Sequence, residues 1–270
     1  MKMKTSISEI KQFREDRRKW FFSGRNAMYL RSGRSNSALR LGSAFHDAME
    51  YFYTRQQVDL NLLYDKYRLS EEDQQLIKFQ LGRYKKIVLP HDLENYEIIE
   101  PEMHYNINLT EDIQLFGFMD IVYRNKSNNA IGVLEHKFLG RPRSERYNNL
   151  EEQVKAYELA VREVYPDEEF DGVILNQVIK SEDTFNNIRT KHKQNPKQLD
   201  HFKRGLITTA LEMREQAKDP IVPYSPHWAS IAFDDYYPLN LKMDLLGTDD
   251  TRVITEEDIK AAGLKRRRKE

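Results

Sequence analysis

The sequence predicts a mixed α/β fold, α+β in its order of elements, with a central mixed β-sheet flanked by helices in one domain over residues 1–270. Three observations favour this fold. Apolar residues at helical spacing dominate residues 1–90, and the period then changes to the alternation of strands. Three strand patterns follow one another before helices and strands alternate again. No Gly- or Ser-rich linker divides the chain.

The first 90 residues carry three helical patterns. Residues 6–21 begin with Ser6, whose side chain can cap the first helical turn. Residues 37–56 place Leu, Phe, Ala and Met side chains on one apolar stripe. Residues 70–89 begin with a serine and three acids, which is typical of a helix start, and Pro90 is predicted to end this helix.

The rest of the chain alternates strands with helices. Strands are predicted at 96–107, 113–124, 130–138 and 170–179, and helices at about 149–164 and 196–217. The second and third strands form a hairpin around the turn NKSNN. The segment from 220 to 250 is rich in aromatic residues and proline, and no helix or strand is predicted there.

The composition, 39% hydrophobic and 32% charged, is typical of a globular protein with a well-solvated surface. No apolar run is long enough to span a membrane, and the first residues lack the apolar segment of a signal peptide. We therefore expect a cytoplasmic protein without a membrane partner. The chain contains no cysteine, so any metal must be held by oxygen or imidazole, and an iron–sulfur cluster is excluded.

Charge is segregated along the chain although the formal net charge is zero. Residues 11–40 contain nine Lys and Arg and two acids, whereas residues 87–123 contain eight acids and no Lys or Arg. This distribution suits a cation site next to a surface for an anionic polymer, although a charged run is also typical of an ordinary solvated face. The candidates for the basic surface are Arg25, Arg31, Arg34 and Arg40.

The predicted hairpin carries ionisable residues on two strongly apolar strands, GFMDIVY and AIGVLEHKF. Glu135 and Lys137 are two residues apart and project from one face, whereas His136 points to the other. Hairpin pairing can bring Asp120 beside Glu135. The two carboxylates can bind a hard cation such as Mg²⁺, and the ammonium can orient a water or balance phosphate charge. A surface salt bridge between Glu135 and Lys137 is the simpler alternative, but the apolar strands argue against it.

This spacing resembles the PD-(D/E)XK nuclease superfamily, in particular its RecB-like and phage exonuclease-like branch. Gly117 to Asp120 matches the pattern G-x-x-D, and Glu135 to Lys137 matches (D/E)-x-K. LGSAFHDAME resembles the branch's helical motif G-x-x-x-H, and EEQVKAY resembles Q-x-x-x-Y. SISEIKQFREDRRKWFF resembles its N-terminal helix. The resemblance covers residues 6–180 with the motifs in the expected order.

The resemblance implies a restriction-endonuclease-like core with an N-terminal helical region. It divides the single nuclease domain into a helical part at 1–90, a catalytic core at 91–180, and a helical part with a C-terminal clasp at 181–270. It also implies a site for Mg²⁺ or Mn²⁺ formed by His46, Asp120 and Glu135.

The remaining motif residues receive roles from the same resemblance. Lys137 would position the attacking water, and Gln153 and Tyr157 would orient the scissile phosphate or support Lys137. Glu102 aligns with the acid on the first core strand and would complete the acidic cluster, with Glu100 close enough to compete.

The sequence departs from the branch in two places. Many relatives hold an iron–sulfur cluster through one N-terminal and three C-terminal cysteines, and this chain has none. We therefore expect packing through Trp228, Phe233 and Tyr237 to hold the clasp. Met119 occupies the position of the usual proline before the first Asp.

The implied function is a metal-dependent DNA nuclease, with an exonuclease favoured, acting in recombination, repair or phage replication. DNA is the implied partner, together with a single-strand annealing protein or a helicase. Two alternatives stay open: a nucleic-acid-binding or assembly subunit that keeps the fold without catalysis, and a structure-specific endonuclease. The aromatic residues Trp20, Phe21 and Phe22 are interpreted as core rather than as a base-stacking surface.

Overall fold

The computed structural model describes residues 2–25, 28–30, 37–223 and 236–266, and all statements below concern those residues. The strands are β1 (Met3–Thr5), β2 (Met28–Leu30), β3 (Tyr96–Asn108), β4 (Ile113–Asn125), β5 (Ile131–Leu139), β6 (Phe170–Ile179), β7 (Asn186–His192) and β8 (Leu264–Arg266). The α-helices are α1 (Ile7–Glu15), α2 (Arg17–Trp20), α3 (Ser37–Tyr53), α4 (Leu60–Tyr67), α5 (Glu71–Ile87), α6 (Leu89–Asn95), α7 (Glu145–Leu150), α8 (Glu152–Val164), α9 (Pro196–Gln216), α10 (Tyr237–Leu245) and α11 (Glu256–Ala261). A π-helical turn covers Phe21–Arg25 and a 3-10 turn covers Thr251–Val253.

The main sheet has the strand order β1-β4-β5-β6-β7, and β3 also pairs with β4. Strands β4 and β5 form the antiparallel hairpin, β5 and β6 are parallel, and β6 and β7 are antiparallel. Helix α8 lies in the crossover that the parallel pair requires. The sheet is mixed and flanked by helices, which confirms the predicted fold class.

Apolar side chains on one face of the hairpin and of β6 pack against α3 and α5. Ile121, Leu134 and Ile174 from the sheet join Phe45 and Ile77 from the helices in one buried cluster. Burying a side chain of this size stabilises the fold by about 1.5–3 kcal/mol relative to leaving it exposed. Strand β6 is buried along almost its whole length, as expected of a strand covered on both faces.

Side-chain caps begin two of the predicted helices. Ser6 accepts a hydrogen bond from the backbone of Glu9 at 3.3 Å, and Ser70 accepts one from Asp73 at 3.2 Å. Pro90 follows the end of α5, as predicted, but it also lies in the first turn of α6, which the sequence did not predict. Its ring fixes a backbone angle that suits a helix start, and its missing N–H is not needed there.

Other elements also differ from the sequence prediction. The helix predicted at 6–21 is interrupted at Asp16, whose extended backbone ends α1 and whose carboxylate caps α2 by accepting from Lys19 at 2.9 Å. The helix predicted at 149–164 is two helices that meet at Glu151. Helix α4 and strand β7 were not predicted, because neither carries a long apolar pattern.

The chain divides into two compact units. Unit 1 comprises Met1–Arg34, Asn108–Leu115 and Lys203–Glu270, and unit 2 comprises Ser35–Ile107 and Phe116–Phe202. Unit 1 buries the side chain of Arg18, which is 1% exposed and pairs with acids of the same unit. Unit 2 contains α3 to α8 and most of the sheet. The single domain predicted over residues 1–270 stays a prediction.

Trp20, Phe21 and Phe22 are at most 7% exposed and belong to the core, as the sequence indicates. Trp228, Phe233 and the side chain of Tyr237, which were expected to hold the clasp, lie outside the described residues. Across the parts of the chain that the structure describes, none of the helices has both the length and the apolar character needed to cross a membrane.

Candidate active site

Asp120 and Glu135 lie side by side on the β4–β5 hairpin. The antiparallel register pairs Ile121 with Leu134, so the next position along places Asp120 opposite Glu135. The backbone N–H of His136 donates to Oδ2 of Asp120 at 2.7 Å. Burial raises the pKa of Glu135, and the charge of Asp120 raises it further. The hairpin therefore brings together the two carboxylates that the sequence placed in one site.

His46 reaches these carboxylates from α3. Its Nδ1 lies 3.1 Å from Oδ2 of Asp120, and its side chain is 30% exposed. Burial lowers the pKa of His46, but the charge of Asp120 and the hydrogen bond with it raise the pKa above its usual value. Burial also raises the pKa of Asp120, but the charge of His46 and its hydrogen bond, together with the charge of Lys137, outweigh burial and bring that pKa to about 2.

Lys137, Gln153 and Tyr157 enclose the carboxylate of Glu135, whose side chain is 2% exposed. The Lys137 ammonium donates to Oε1 of Glu135 and, at 3.0 Å, to Oε1 of Gln153. The Tyr157 hydroxyl donates to Oε2 of Glu135 at 2.9 Å and accepts from Nε2 of Gln153. These bonds offset the cost of burying a carboxylate. Gln153 and Tyr157 are one turn apart on α8, so one helix face supports both charged residues of β5.

Glu102 enters the site through an irregular backbone on β3. Its φ is +47°, a left-handed conformation that costs a non-glycine residue about 1–3 kcal/mol. Burial raises the pKa of Glu102, and the charge of Asp120 raises it further, to about 7. Glu100 lies elsewhere: burial and the charge of Glu100 raise the pKa of Tyr165. Of the two competing acids, Glu102 is the one beside Asp120.

A buried polar network lies behind His136, on the face of β5 opposite Glu135. Nδ2 of Asn176 donates to Nδ1 of His136 at 2.7 Å, and Oδ1 of Asn176 accepts from Arg189 at 2.8 Å. Because arginine can only donate, this contact fixes the amide orientation and leaves the His136 proton on Nε2. Arg189 also binds Asp92 through two bonds of 2.5 and 2.6 Å. Burial lowers the pKa of His136 to about 3, so this imidazole is neutral.

Three polar side chains near the site were missed by sequence reasoning: Glu50, Arg143 and Gln177. Glu50 lies one turn after His46 on α3, and the register of β5 with β6 places Gln177 beside Lys137. Oε1 of Gln177 accepts from the backbone N–H of Arg143 at 2.8 Å. Burial lowers the pKa of Lys137, the nearby carboxylates raise it above its usual value, and the Arg143 guanidinium opposes that rise. The sequence did contain a sign of Arg143: two arginines lie in GRPRS, directly after β5.

The structure describes few of the arginines predicted to bind an anionic polymer. Arg31 and Arg34 lie outside the described residues, and only the backbone of Arg25 is described. Arg40, on α3, is half-buried. Arg18 belongs to the same basic run but is buried in ion pairs, so the expectation of one basic face over residues 11–40 is wrong at that position.

The donors of this site fit a hard divalent cation. Asp120, Glu135 and Glu102 offer carboxylate oxygens and His46 offers imidazole nitrogen, which together suit Mg²⁺ or Mn²⁺. Carboxyl groups held together repel one another, and this contributes to the raised pKa values of Glu102 and Glu135. In this arrangement the carboxylate oxygens accept hydrogen bonds from protein donors. Among the described residues, no group of three His, Asp or Glu side chains is already arranged as metal ligands. A cation would therefore compete with those donors.

Two carboxylates and a lysine on one hairpin of a mixed sheet, supported by a Gln and a Tyr from α8, form an arrangement that can bind a divalent cation and orient a water for hydrolysis. The family model of the PD-(D/E)XK nuclease superfamily matches residues 4–228. The chain belongs to this superfamily, as the motifs of the sequence indicated.

A solved structure agrees with the fold. The crystal structure of a "Putative exonuclease" from Eubacterium rectale superposes with a TM-score of 0.54 at 9% identity, over 85% of this chain and 92% of that chain. The structure of SSO0001 gives a TM-score of 0.32 at 17% identity, over 64% of this chain and 73% of that chain, which is too low to support an argument. No curated protein sequence matches this chain.

Proposed function

We propose that this nuclease is a Mg²⁺- or Mn²⁺-dependent deoxyribonuclease of the RecB-like, phage exonuclease-like branch, and that it degrades DNA from an end. The observation that carries the proposal is the convergence of His46 with Asp120, at 3.1 Å, next to Glu135 and Lys137. The helical histidine favours an exonuclease, because it separates this branch from the wider superfamily. The name of the Eubacterium rectale protein agrees with that preference, although its likeness supports the fold alone.

Asp120, Glu135 and His46 would hold the cation, and Glu102 would complete the acidic cluster through a water. The cation would activate the attacking water and stabilise charge on the leaving oxygen. Water would attack phosphorus in line with the bond to the leaving oxygen, so that one P–O bond forms as the other breaks. The attacking water would release its proton to solvent, and the leaving oxygen would take up one proton from solvent. The raised pKa of Lys137, set by burial against the neighbouring carboxylates, keeps this side chain an ammonium at neutral pH. Lys137 therefore orients water and phosphate as a donor, and does not act as the base.

Gln153 and Tyr157 act as positioning residues in this mechanism. Gln153 accepts from Lys137 at 3.0 Å, and Tyr157 donates to Glu135 at 2.9 Å, so the α8 face fixes both charged groups of β5. A geometry fixed before the substrate arrives avoids reorganisation during the reaction.

The DNA backbone would bind through arginines around this site. Arg143 lies beside Lys137, and Arg25, Arg31, Arg34 and Arg40 are the candidates from the sequence. Phosphate contacts of this kind give affinity without sequence preference. A single-strand annealing protein or a helicase would be the protein partner, and the bacterial or phage-infected cytoplasm the location.

The test uses end-labelled linear DNA and covalently closed circular DNA, each with Mg²⁺, with Mn²⁺ and with chelator. We expect metal-dependent cleavage of the linear substrate alone, lost in Asp120→Asn and kept in Glu72→Gln, which changes an exposed acid on α5. Cleavage of the circle would favour the endonuclease alternative. DNA binding without cleavage under any metal would favour the non-catalytic alternative.

A further inference from the structure

Phe118 is a large apolar side chain that β4 leaves 56% exposed. It lies two residues before Asp120, whereas Met119 between them is fully buried. Side chains two apart on a strand share one face and lie about 7 Å apart along it. Phe118 therefore stands on the same face as the Asp120 carboxylate, one step along the strand.

The ring of His104 on β3 lies next to Phe118. The two ring centroids are 5.0 Å apart, with 58° between the ring planes. His104 is exposed and follows Glu102 by two residues, with the buried Met103 between them. The two strands therefore carry a ring pair, His104 with Phe118, directly beside an acid pair, Glu102 with Asp120.

The charge around this ring pair restricts what can bind it. Residues 87–123, which include most of β3 and β4, contain eight acids and no Lys or Arg. A phosphate would be repelled here, whereas an uncharged aromatic ring can stack on Phe118 without a counter-charge. In a nucleotide chain, each base is attached to a sugar that also carries a phosphate, so such a ring lies close to every phosphate.

We propose that Phe118 and His104 form a stacking subsite for the nucleobase next to the scissile phosphate. This inference rests on the proposed function and specifies its substrate. A base can reach the ring pair only when it is unpaired, so the substrate is a single strand or a frayed end, of DNA or of RNA. Stacking tolerates every base, and the subsite therefore adds affinity without adding sequence preference.

The test compares Phe118→Ala, Phe118→Trp and the control Leu62→Ala on single-stranded oligonucleotides. Leu62, on α4, is 58% exposed and therefore matches Phe118 in exposure. We expect Phe118→Ala to raise KM about tenfold with a smaller change in kcat, and Phe118→Trp to restore the wild-type KM. A parallel series of substrates carries a single abasic nucleotide at each position near the cleaved bond. On the substrate that lacks the stacked base, wild type and Phe118→Ala should have the same KM.

Two results would overturn the inference while leaving the nuclease assignment intact. One is a Phe118→Ala enzyme that matches Leu62→Ala on every substrate. The other is a lower sedimentation coefficient in Phe118→Ala than in wild type, since Phe118 would then be packed against a second copy of the chain. A wild-type protein that cleaves no oligonucleotide with any divalent metal would instead overturn the proposed function itself. DNA and RNA oligonucleotides of one sequence identify which polymer supplies the base.

Discussion

The imidazole of His46 lies 3.1 Å from the carboxylate of Asp120, which joins helix α3 to the strand that carries the first acid of the site. The contact has opposite effects on the two pKa values. Burial lowers the pKa of His46, yet Asp120 raises it above its usual value. Burial raises the pKa of Asp120, yet His46 and its neighbours bring it to about 2. Both groups therefore favour their charged forms in the metal-free protein.

His46→Ala should lower the free energy of unfolding of the metal-free protein most at about pH 5.5. Because the pKa of Asp120 is lower in the folded than in the unfolded protein, Asp120 stabilises the fold at any pH above its unfolded pKa. This contribution is lost as pH falls toward 2. Because the pKa of His46 is higher in the folded protein, His46 stabilises the fold at any pH below its unfolded pKa of 6.5. This contribution is lost as pH rises through the folded pKa. Urea denaturation with chelator at about pH 5.5 and about pH 8.5 measures the difference. His201→Ala, an exposed histidine on α9, is the control. An equal loss at both pH values would contradict the ion pair.

Lys137→Ala should reduce single-turnover cleavage by about 10²- to 10³-fold, the usual effect of removing one positioned hydrogen-bond donor from an active site, and leave the fold intact. Removing the ammonium also leaves Glu135 without its charged partner, so the pKa of Glu135 should rise further. The matched control is Lys197→Ala, an exposed lysine on α9. Cleavage by Lys137→Ala at the rate of that control would exclude Lys137 from the mechanism.

Glu102→Gln should stabilise the metal-free protein at high pH and leave it unchanged at about pH 4. Burial and Asp120 raise the Glu102 pKa from 4.5 to about 7, so the fold favours the protonated form. The protonated form of Glu102 stabilises the fold fully below the unfolded pKa, and this stabilisation is lost as pH rises through about 7. Glutamine is neutral at every pH and therefore does not lose it. We expect about 1–2 kcal/mol at about pH 8.5, less than the full shift because the side chain is partly exposed. Thermal unfolding with chelator measures the gain, and Glu100→Gln, which should show none, is the control.

The two motif glycines should respond differently to alanine. A Cβ at Gly117 would lie 2.5 Å from the hydroxyl of Tyr105, whose ring contacts Tyr157 in turn. Gly117→Ala should therefore displace Tyr105, cost about 1–3 kcal/mol and reduce cleavage. No atom of the described residues lies within 4 Å of a Cβ at Gly42, and alanine there gains up to about 1 kcal/mol of helix propensity. Chemical denaturation of both variants decides the matter, and a stable, fully active Gly117→Ala protein would refute this packing.

Arg143→Ala should weaken DNA binding in chelator and reduce the slope of log affinity against log salt by about one unit, the effect of one lost phosphate contact. Arg143→Lys should keep most of the slope, because it keeps the charge. The matched control is Arg141→Ala, an exposed arginine two residues earlier. Slopes for both alanine variants that equal the wild-type slope would place the DNA away from Arg143. Fluorescence anisotropy over a salt series provides the measurement.

The strands that carry the site could be predicted because their apolar patterns are long. The strand predicted at 170–179 matches β6 at both ends, and the two hairpin strands differ from the prediction by one residue at one or both ends. Helix α6 was missed because proline serves equally to end a helix and to begin one. Strand lengths and periods are local properties of the chain, whereas the use of Pro90 depends on its neighbours.

The spacing of Asp120, Glu135 and Lys137 predicted one hairpin site, because strand pairing alone brings these residues together. His46 and Gln153 could be assigned only through the resemblance, since no local pattern says where a helix packs. The bonds from Asn176 to His136 and to Arg189 could not be predicted, because they join separate strands by side chains.

Strand β7 is the last in the strand order of the described residues, so within them its outer backbone groups form an edge at which another chain could add a strand. Its sequence, NNIRTKH, is polar and lacks the flat apolar surface that favours such pairing. Arg189 points inward to Asp92, and Lys191 pairs with Asp171 at 2.6 Å. The polar sequence that kept β7 from being predicted should therefore also keep the protein from aggregating through this edge of the sheet at high concentration.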